Sequence, residues 1–213
     1  MEPIAWLLGA GGAALGVVAD RFATRWPEHD EEHPPGRPLD WRTVVVAVVG
    51  ALAFGLLVPR FGGDALAVVI FGAWFATLVV GLATDLDQRL LPDVLTLPVI
   101  PVALVYALSG RNPLVGDEIV LAILVAVVIP LALYLPSIPF GAGAFGLGDV
   151  KLLIGVGLLA GGSRALGSVV FALVLGGLVI AVLLLTRRVG RRTYLPFGPF
   201  FILGALWVVL LRA

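Results

Sequence analysis

The sequence predicts an all-α polytopic membrane protein of about eight transmembrane helices, one of them short, with the amino terminus outside. Three observations carry this. The 213 residues are 60% hydrophobic and 13% charged, with a mean hydropathy of +1.09, whereas soluble domains hold roughly 45–50% apolar residues. Nearly uncharged stretches recur along the chain at close to the length, about 17–25 residues, that a helix needs to cross a hydrocarbon core of about 30 Å. Basic residues, finally, are distributed unevenly between the connections.

Taken in order, the first span is 4–19. Its start, MEPIAWLLGAGGAALGVVADRF, has an acidic rather than a basic leading region, so it reads as a retained helix and not as a signal peptide. Residues 20–42 are the one long polar stretch, with four prolines, six acids and four arginines. They hold too little apolar material for a core and are expected to form a partly ordered cytoplasmic loop. His29 and His33 stand at i, i+4 with acids between them, a spacing that suits a metal on a helix. Prolines close on both sides and the lack of a third strong ligand favour a solvated charged loop instead.

Spans follow at 43–58, 65–84, 94–109 and 118–136, and then at 165–186 and 195–211. Between the fifth and sixth of these seven lies VKLLIGVGLLAGG, 150–162, too short to cross comfortably and read as a short eighth helix or a re-entrant one. With eight helices and the amino terminus outside, ten basic residues face the cytoplasm: Arg21, Arg25, Arg37, Arg42, Arg89, Lys151, Arg187, Arg188, Arg191 and Arg192. Arg60, Arg111, Arg164 and Arg212 face out, completing the fourteen of the chain and obeying the positive-inside rule. The whole chain, 1–213, reads as one integral membrane domain.

Composition also excludes. Fourteen basic against fourteen acidic residues suggest no nucleic-acid partner, and with no cysteine there is no disulfide, thiolate metal site or thiol nucleophile. No cofactor or metal is expected. Most of the 27 glycines lie in membrane helices, where small residues let backbones approach, and GALAFG, GLLAGG and GGSRALG read as packing faces. GAGAFG within FGAGAFGLG matches GxGxxG formally, but no strand precedes it and no βαβ unit is possible.

Chemistry concentrates at two aspartate stations, TDLDQRLLPD at 84–93 and FGLGDVKL at 145–152. The eight-helix topology puts Asp85 and Asp149 at the same side of the membrane, so they can meet. Two carboxylates a few ångströms apart share one proton near neutral pH. The ionised member then draws a proton from water while the protonated one polarises a peptide carbonyl, as in an aspartic protease. Gly146 and Gly148 lack Cβ atoms and allow a substrate backbone to lie beside Asp149. The structural alternative makes Asp149 the N-cap of the short helix and leaves Asp85 and Asp87 as interfacial acids at a helix end. Pro92 disfavours helix at Leu91, so Asp85 to Leu91 is expected as a turn or an extended helix end facing the cytoplasm. Arg89 is placed to pair with Asp93 at i, i+4 or to meet substrate. PFGPF at 196–200 reads as a helix start with a further possibility of lining the active cavity.

Three segments together, TDLDQRLLPDVLTLP at 84–98, FGLGDVKLL at 145–153 and YLPFGPFFILGAL at 194–206, resemble the type IV prepilin peptidases, intramembrane aspartic proteases of the GxGD kind. The resemblance covers essentially everything from residue 43 onward. It implies cleavage of prepilin-like precursors on the cytoplasmic side of a bacterial or archaeal inner membrane. The cut falls after the glycine that ends a short basic leader and before the hydrophobic helix of the pilin. The family's first catalytic acid stands four residues before a basic or polar position and seven before a proline, which selects Asp85 ahead of Arg89 and Pro92. The acid of GxGD is Asp149. Asp87, Arg89, Pro92, Asp93 and Lys151, with Gly146 and Gly148, become supporting or substrate-binding residues. The work would serve pili, secretion or DNA uptake. Many bacterial members carry a larger cytoplasmic domain with four zinc-binding cysteines after the first helix, and also methylate the product with S-adenosylmethionine. Here that place is only 20–42, so the resemblance implies a peptidase with methylation doubtful. A small proton- or cation-coupled transporter using the acids as ion sites is the competing reading, disfavoured by the lack of an internal repeat. A degenerate scaffold is disfavoured by the presence of both acids. A presenilin-like peptidase shares GxGD but not the surroundings of Asp85 or LPFGPF.

Overall fold

The structure, a computed structural model, describes residues 3–29, 35–140, 145–188, 190 and 196–211. It is helical, and counting broken rods as one each gives 8 helices among the described residues, five of them long and apolar enough to cross a membrane. Two compact units divide the chain, Met1–Leu95 and Thr96–Ala213.

The first unit contains α1 (Pro3–Ala23), α2 (Trp41–Gly55), α3 (Leu57–Phe61) and α4 (Ala65–Gln88). α1 and α2 pack backbone to backbone through glycines. A Cβ placed on Gly12 would lie 2.2 Å from the Gly50 carbonyl oxygen, and one on Gly16 would lie 2.5 Å from that of Val46. The expected packing role of GALAFG is therefore met at Gly50. The span expected at 43–58 is broken at Leu56, because Pro59 has no N–H for the carbonyl of Gly55 and its ring crowds that carbonyl. Asp40 opens α2 with a capping box shared with Thr43. Asp64 opens α4, accepting from the Leu66 and Ala67 N–H groups at 2.9 and 3.1 Å. Phe71, Trp74 and Phe75 form its buried aromatic row, with Phe71 stacked on Phe61 at 4.3 Å between ring centroids.

The second unit holds α6 (Val99–Leu108), α7 (Ile119–Tyr134), α8 (Leu147–Ala160), α9 (Gly162–Leu185) and α10 (Gly198–Leu210), entered from α5 (Asp93–Thr96). The span expected at 94–109 is split between α5 and α6 around Pro98, which cannot donate to Val94. α8 is the short helix expected near 150–162, but it starts three residues earlier. At about 21 Å it is shorter than a hydrocarbon core. From Leu152 to Ala160 every residue but Ile154 is buried, the pattern of a helix enclosed by others. Gly157 lets α7 close in, since a Cβ there would lie 2.6 Å from Ala126 Cα.

A polar pin fastens the α6–α7 connection to the α8–α9 joint. Asn112, 1% exposed, donates from Nδ2 to the Leu159 carbonyl at 3.0 Å and accepts from the Leu114 N–H at 2.9 Å. Arg164 Nη1 donates to the Leu114 carbonyl at 3.1 Å. Gly161, at φ +83°, turns the chain beneath that same carbonyl, 2.6 Å from where a Cβ would sit. Asn112→Leu strands the Leu114 N–H and the Leu159 carbonyl, so a loss of about 1–3 kcal/mol in unfolding stability is expected in detergent. A variant as stable as the parent would show that the pin contributes nothing.

Candidate active site

The first station lies at the end of α4. The helix runs to Gln88, four residues past the expected end, so Asp85 and Asp87 stand within its last turn. Asp85 is 5% exposed. The helix stops at Arg89, whose φ of +57° is left-handed and whose N–H donates to the Asp85 carbonyl at 2.9 Å. Arg89 is thus the C-cap of α4 and its side chain is exposed. Beyond it Leu91 and Pro92 are buried and exposed Asp93 opens α5. A left-handed arginine carries a backbone cost of about 1 kcal/mol that glycine avoids. Arg89→Gly is therefore expected to hold or raise the melting temperature, and a clear drop would mean that the arginine side chain supports the fold.

Asp87, like the equally buried Asp85, differs from the expectation of an acid facing the cytoplasm. It is buried, and three side chains converge on it: the guanidinium groups of Arg37 (Nε at 2.7 Å) and Arg42 (Nη1 at 3.5 Å) and the imidazole of His29 (Nε2 at 3.3 Å). The connection between α1 and α2 is correspondingly not a purely solvated loop. The His29 side chain is 5% exposed and that of Arg37 14%. Arg37 also donates to Asp20 Oδ1 at 2.6 Å and to Asp40, and Asp20 accepts from Arg21 and, at 2.6 Å, from Thr43 Oγ1. Burial opposes the charge on Arg37, yet its hydrogen bonds to Asp87 and Asp20 outweigh that and lift its pKa above the ordinary arginine value. Gln88 Nε2 adds bonds to the carbonyls of Ala23 at 3.1 Å and Pro27 at 3.3 Å. His33 lies outside the described residues. No group of three or more His, Cys, Asp or Glu able to hold a metal is found among those described.

The second station opens α8. Gly146 is its extended N-cap, with φ −73° and ψ 144°, so Asp149 is not the cap but the third helical residue. Its carboxylate accepts from the Gly146 backbone N–H, the reciprocal half of a capping box. A Cβ on Gly146 would stand 3.4 Å from Asp149 Oδ2, so glycine keeps that side of the carboxylate open. Gly148, Asp149 and Lys151 are half-buried in the first turns of the helix. Phe145, just before the motif, packs edge-on against buried Phe201 of α10 at 5.9 Å. The PFGPF segment is the expected helix start, with Phe197 as N-cap of α10 and Pro199 in its first turn, and Phe201, which seats Phe145, follows it directly. Residues 141–144 and 194–195, parts of two quoted motifs, lie outside the described residues.

The fold and these stations define a multi-pass membrane protein with an acid in the last turn of one helix and another in the first turn of a second. Residues 73–185 match the type IV leader peptidase family, and the chain belongs to that family. It is 35% identical over 175 residues, 81% of this chain, to the type 4 prepilin-like proteins leader peptide-processing enzyme of Escherichia coli O78:H11 (strain H10407 / ETEC). It is 34% identical over 155 residues, 73% of the chain, to a prepilin leader peptidase/N-methyltransferase of Burkholderia pseudomallei (strain 1026b). A protein of the latter name from Pseudomonas putida is 29% identical over 170 residues, 80% of the chain. The chain spans 62%, 50% and 58% of these three relatives' lengths. No solved structure matches it. Apolar helices and relatives together make it a multi-pass inner-membrane protein.

Proposed function

We propose that this protein is an intramembrane aspartic endopeptidase that removes the short basic leader from type IV prepilin-like precursors on the cytoplasmic side. Asp85 and Asp149 form its dyad. One carboxylate, ionised, takes a proton from water as that water attacks the scissile carbonyl. The other, protonated, donates a hydrogen bond to the carbonyl oxygen and later supplies the proton that the leaving amine needs. Neither metal nor cofactor enters these steps.

Membership of the leader peptidase family, over a region that contains both acids, carries the reading. The local structure supports the division of labour. Asp87 is bound up in an internal ion cluster, a structural role, and Asp85 is the acid of that turn that the family pattern selects for catalysis. Gly146 keeps Asp149 approachable. Lys151, Asp93 and the exposed Arg89 side chain are proposed as leader contacts. The connection between α1 and α2 lacks cysteine, so the reading covers the peptidase step and leaves N-methylation of the product doubtful.

Purified protein in lipid, given a precursor with a basic leader, a Gly-Phe junction and a hydrophobic helix, is expected to release the leader, with the new amino terminus at Phe. With S-adenosylmethionine present, intact-mass measurement is expected to find the product unmethylated. No cleavage of several such precursors would sink the peptidase reading.

A further inference from the structure

The last turn of α4 is held from the side by the α1–α2 connection, and the hold converges on one guanidinium. Asp20 and Asp87 are both buried, on different helices. Arg37 reaches both, with Nε on Asp87 at 2.7 Å and Nη2 on Asp20 at 2.6 Å, while Nη1 binds Asp40, the N-cap of α2. The three nitrogens of one planar fork therefore join α1, the start of α2 and α4. Lysine, a single point donor, cannot make that junction. The connection is fixed in turn by Gly36 N–H on the Thr24 carbonyl at 2.9 Å and by Arg21 Nη1 on the Arg37 carbonyl at 2.8 Å.

Asp85 precedes Asp87 by two residues on the same helix, about 200° around its axis. Restraint of Asp87 on one side thus sets the rotation at which Asp85 is presented on the other. A last turn needs such restraint: helix ends fray at little cost, and here the chain leaves the helix directly at left-handed Arg89.

We infer that Arg37 is a positioning residue for the peptidase reaction: by bridging Asp20 and Asp87 it fixes the last turn of α4 and with it the Asp85 carboxyl. The inference rests on the reading of Asp85 as a catalytic acid. Arg37 itself touches neither substrate nor water of the reaction.

The test compares Arg37→Gln, Arg37→Lys, Asp87→Asn and Asp85→Asn in the full chain in lipid, with the precursor described above as probe. Arg37→Gln is expected to lower kcat roughly 10- to 100-fold with KM within about twofold of the parent. Arg37→Lys recovers part of the loss. Asp87→Asn gives a similar fall, and the double change with Arg37→Gln costs little more than either alone. Amide exchange over residues 85–88 quickens about tenfold in Arg37→Gln. Parental kcat in Arg37→Gln or Asp87→Asn overturns the inference. A loss confined to KM also overturns it, because Arg37 would then be a leader contact, and so does lowered kcat with unchanged exchange. Should Arg37→Gln not fold, Asp87→Asn, which keeps the Arg37–Asp20 pair, carries the test. Asp85→Asn that cleaves like the parent removes the reading of Asp85 and this inference together. An inactive Asp85→Asn beside a fully active Arg37→Gln removes only the inference.

Discussion

Asp85→Asn and Asp149→Asn are each expected to cut kcat for precursor cleavage by about 10³-fold or more, while melting temperature and detergent extraction stay near those of the parent. Asparagine keeps the shape of aspartate but cannot take a proton from water, nor donate an acidic one to the leaving amine. At position 149 the amide oxygen still accepts the Gly146 N–H that the carboxylate accepts now, so the start of α8 is preserved. Asp87→Asn provides the contrast. It weakens the ion pairs with Arg37 and Arg42 and the contact with His29, so its loss of rate comes with a loss of stability. Because a dyad acts as a unit, the Asp85→Asn, Asp149→Asn double variant is expected to be little worse than either single one. Parental kcat in either single variant would take the chemistry away from that pair and toward Asp87 or Asp93.

The helices were legible because each is a long apolar run, and the structure places a rod at each expected position. Hydropathy is blind to what interrupts a rod. Pro59 and Pro98 are single residues that hardly change the average of an apolar window, yet each removes one backbone donor and breaks its helix. The start of α8 is masked in the sequence because glycines at 146 and 148 look like loop, whereas one of them serves as the extended cap. The greatest miss was the connection at 20–42. Its average polarity reads as a solvated loop, but two of its side chains, His29 and Arg37, are drawn inward by a buried acid. A signal for this was present. Asp20 and Asp87 end or interrupt apolar helices, and a carboxylate there needs a charged partner. Which arginine would supply it depends on tertiary contacts that no spacing encodes. The two acids of the proposed dyad were found through motif and topology, since nothing in local propensity separates Asp85 from Asp87.

Gly12→Ala is the substitution expected to damage the fold most. In lipid, helices gain little from hiding apolar surface and are held by close packing instead, and α1 and α2 approach through glycine. The added methyl would stand 2.2 Å from the Gly50 oxygen and 2.8 Å from both the Gly50 carbonyl carbon and Phe54 Cβ. The first two are backbone atoms, so no rotamer change relieves the clash and the helices must part. A loss of about 3 kcal/mol is expected, read by thermal or denaturant unfolding in detergent. Gly11→Ala is the control: a Cβ there meets nothing within 4 Å, and alanine's helix propensity should leave stability equal or raise it by about 0.5–1 kcal/mol. Gly50→Ala would push on Gly12 from the other side, also at 2.2 Å, so the two together should cost less than the sum of their separate effects. The same separation strains the Thr43–Asp20 bond at the neighbouring helix ends and so reaches the Arg37 junction. Activity in Gly12→Ala should accordingly fall further than the unfolded fraction accounts for. A Gly12→Ala protein as stable as the Gly11→Ala control would mean that α1 and α2 do not touch along this line.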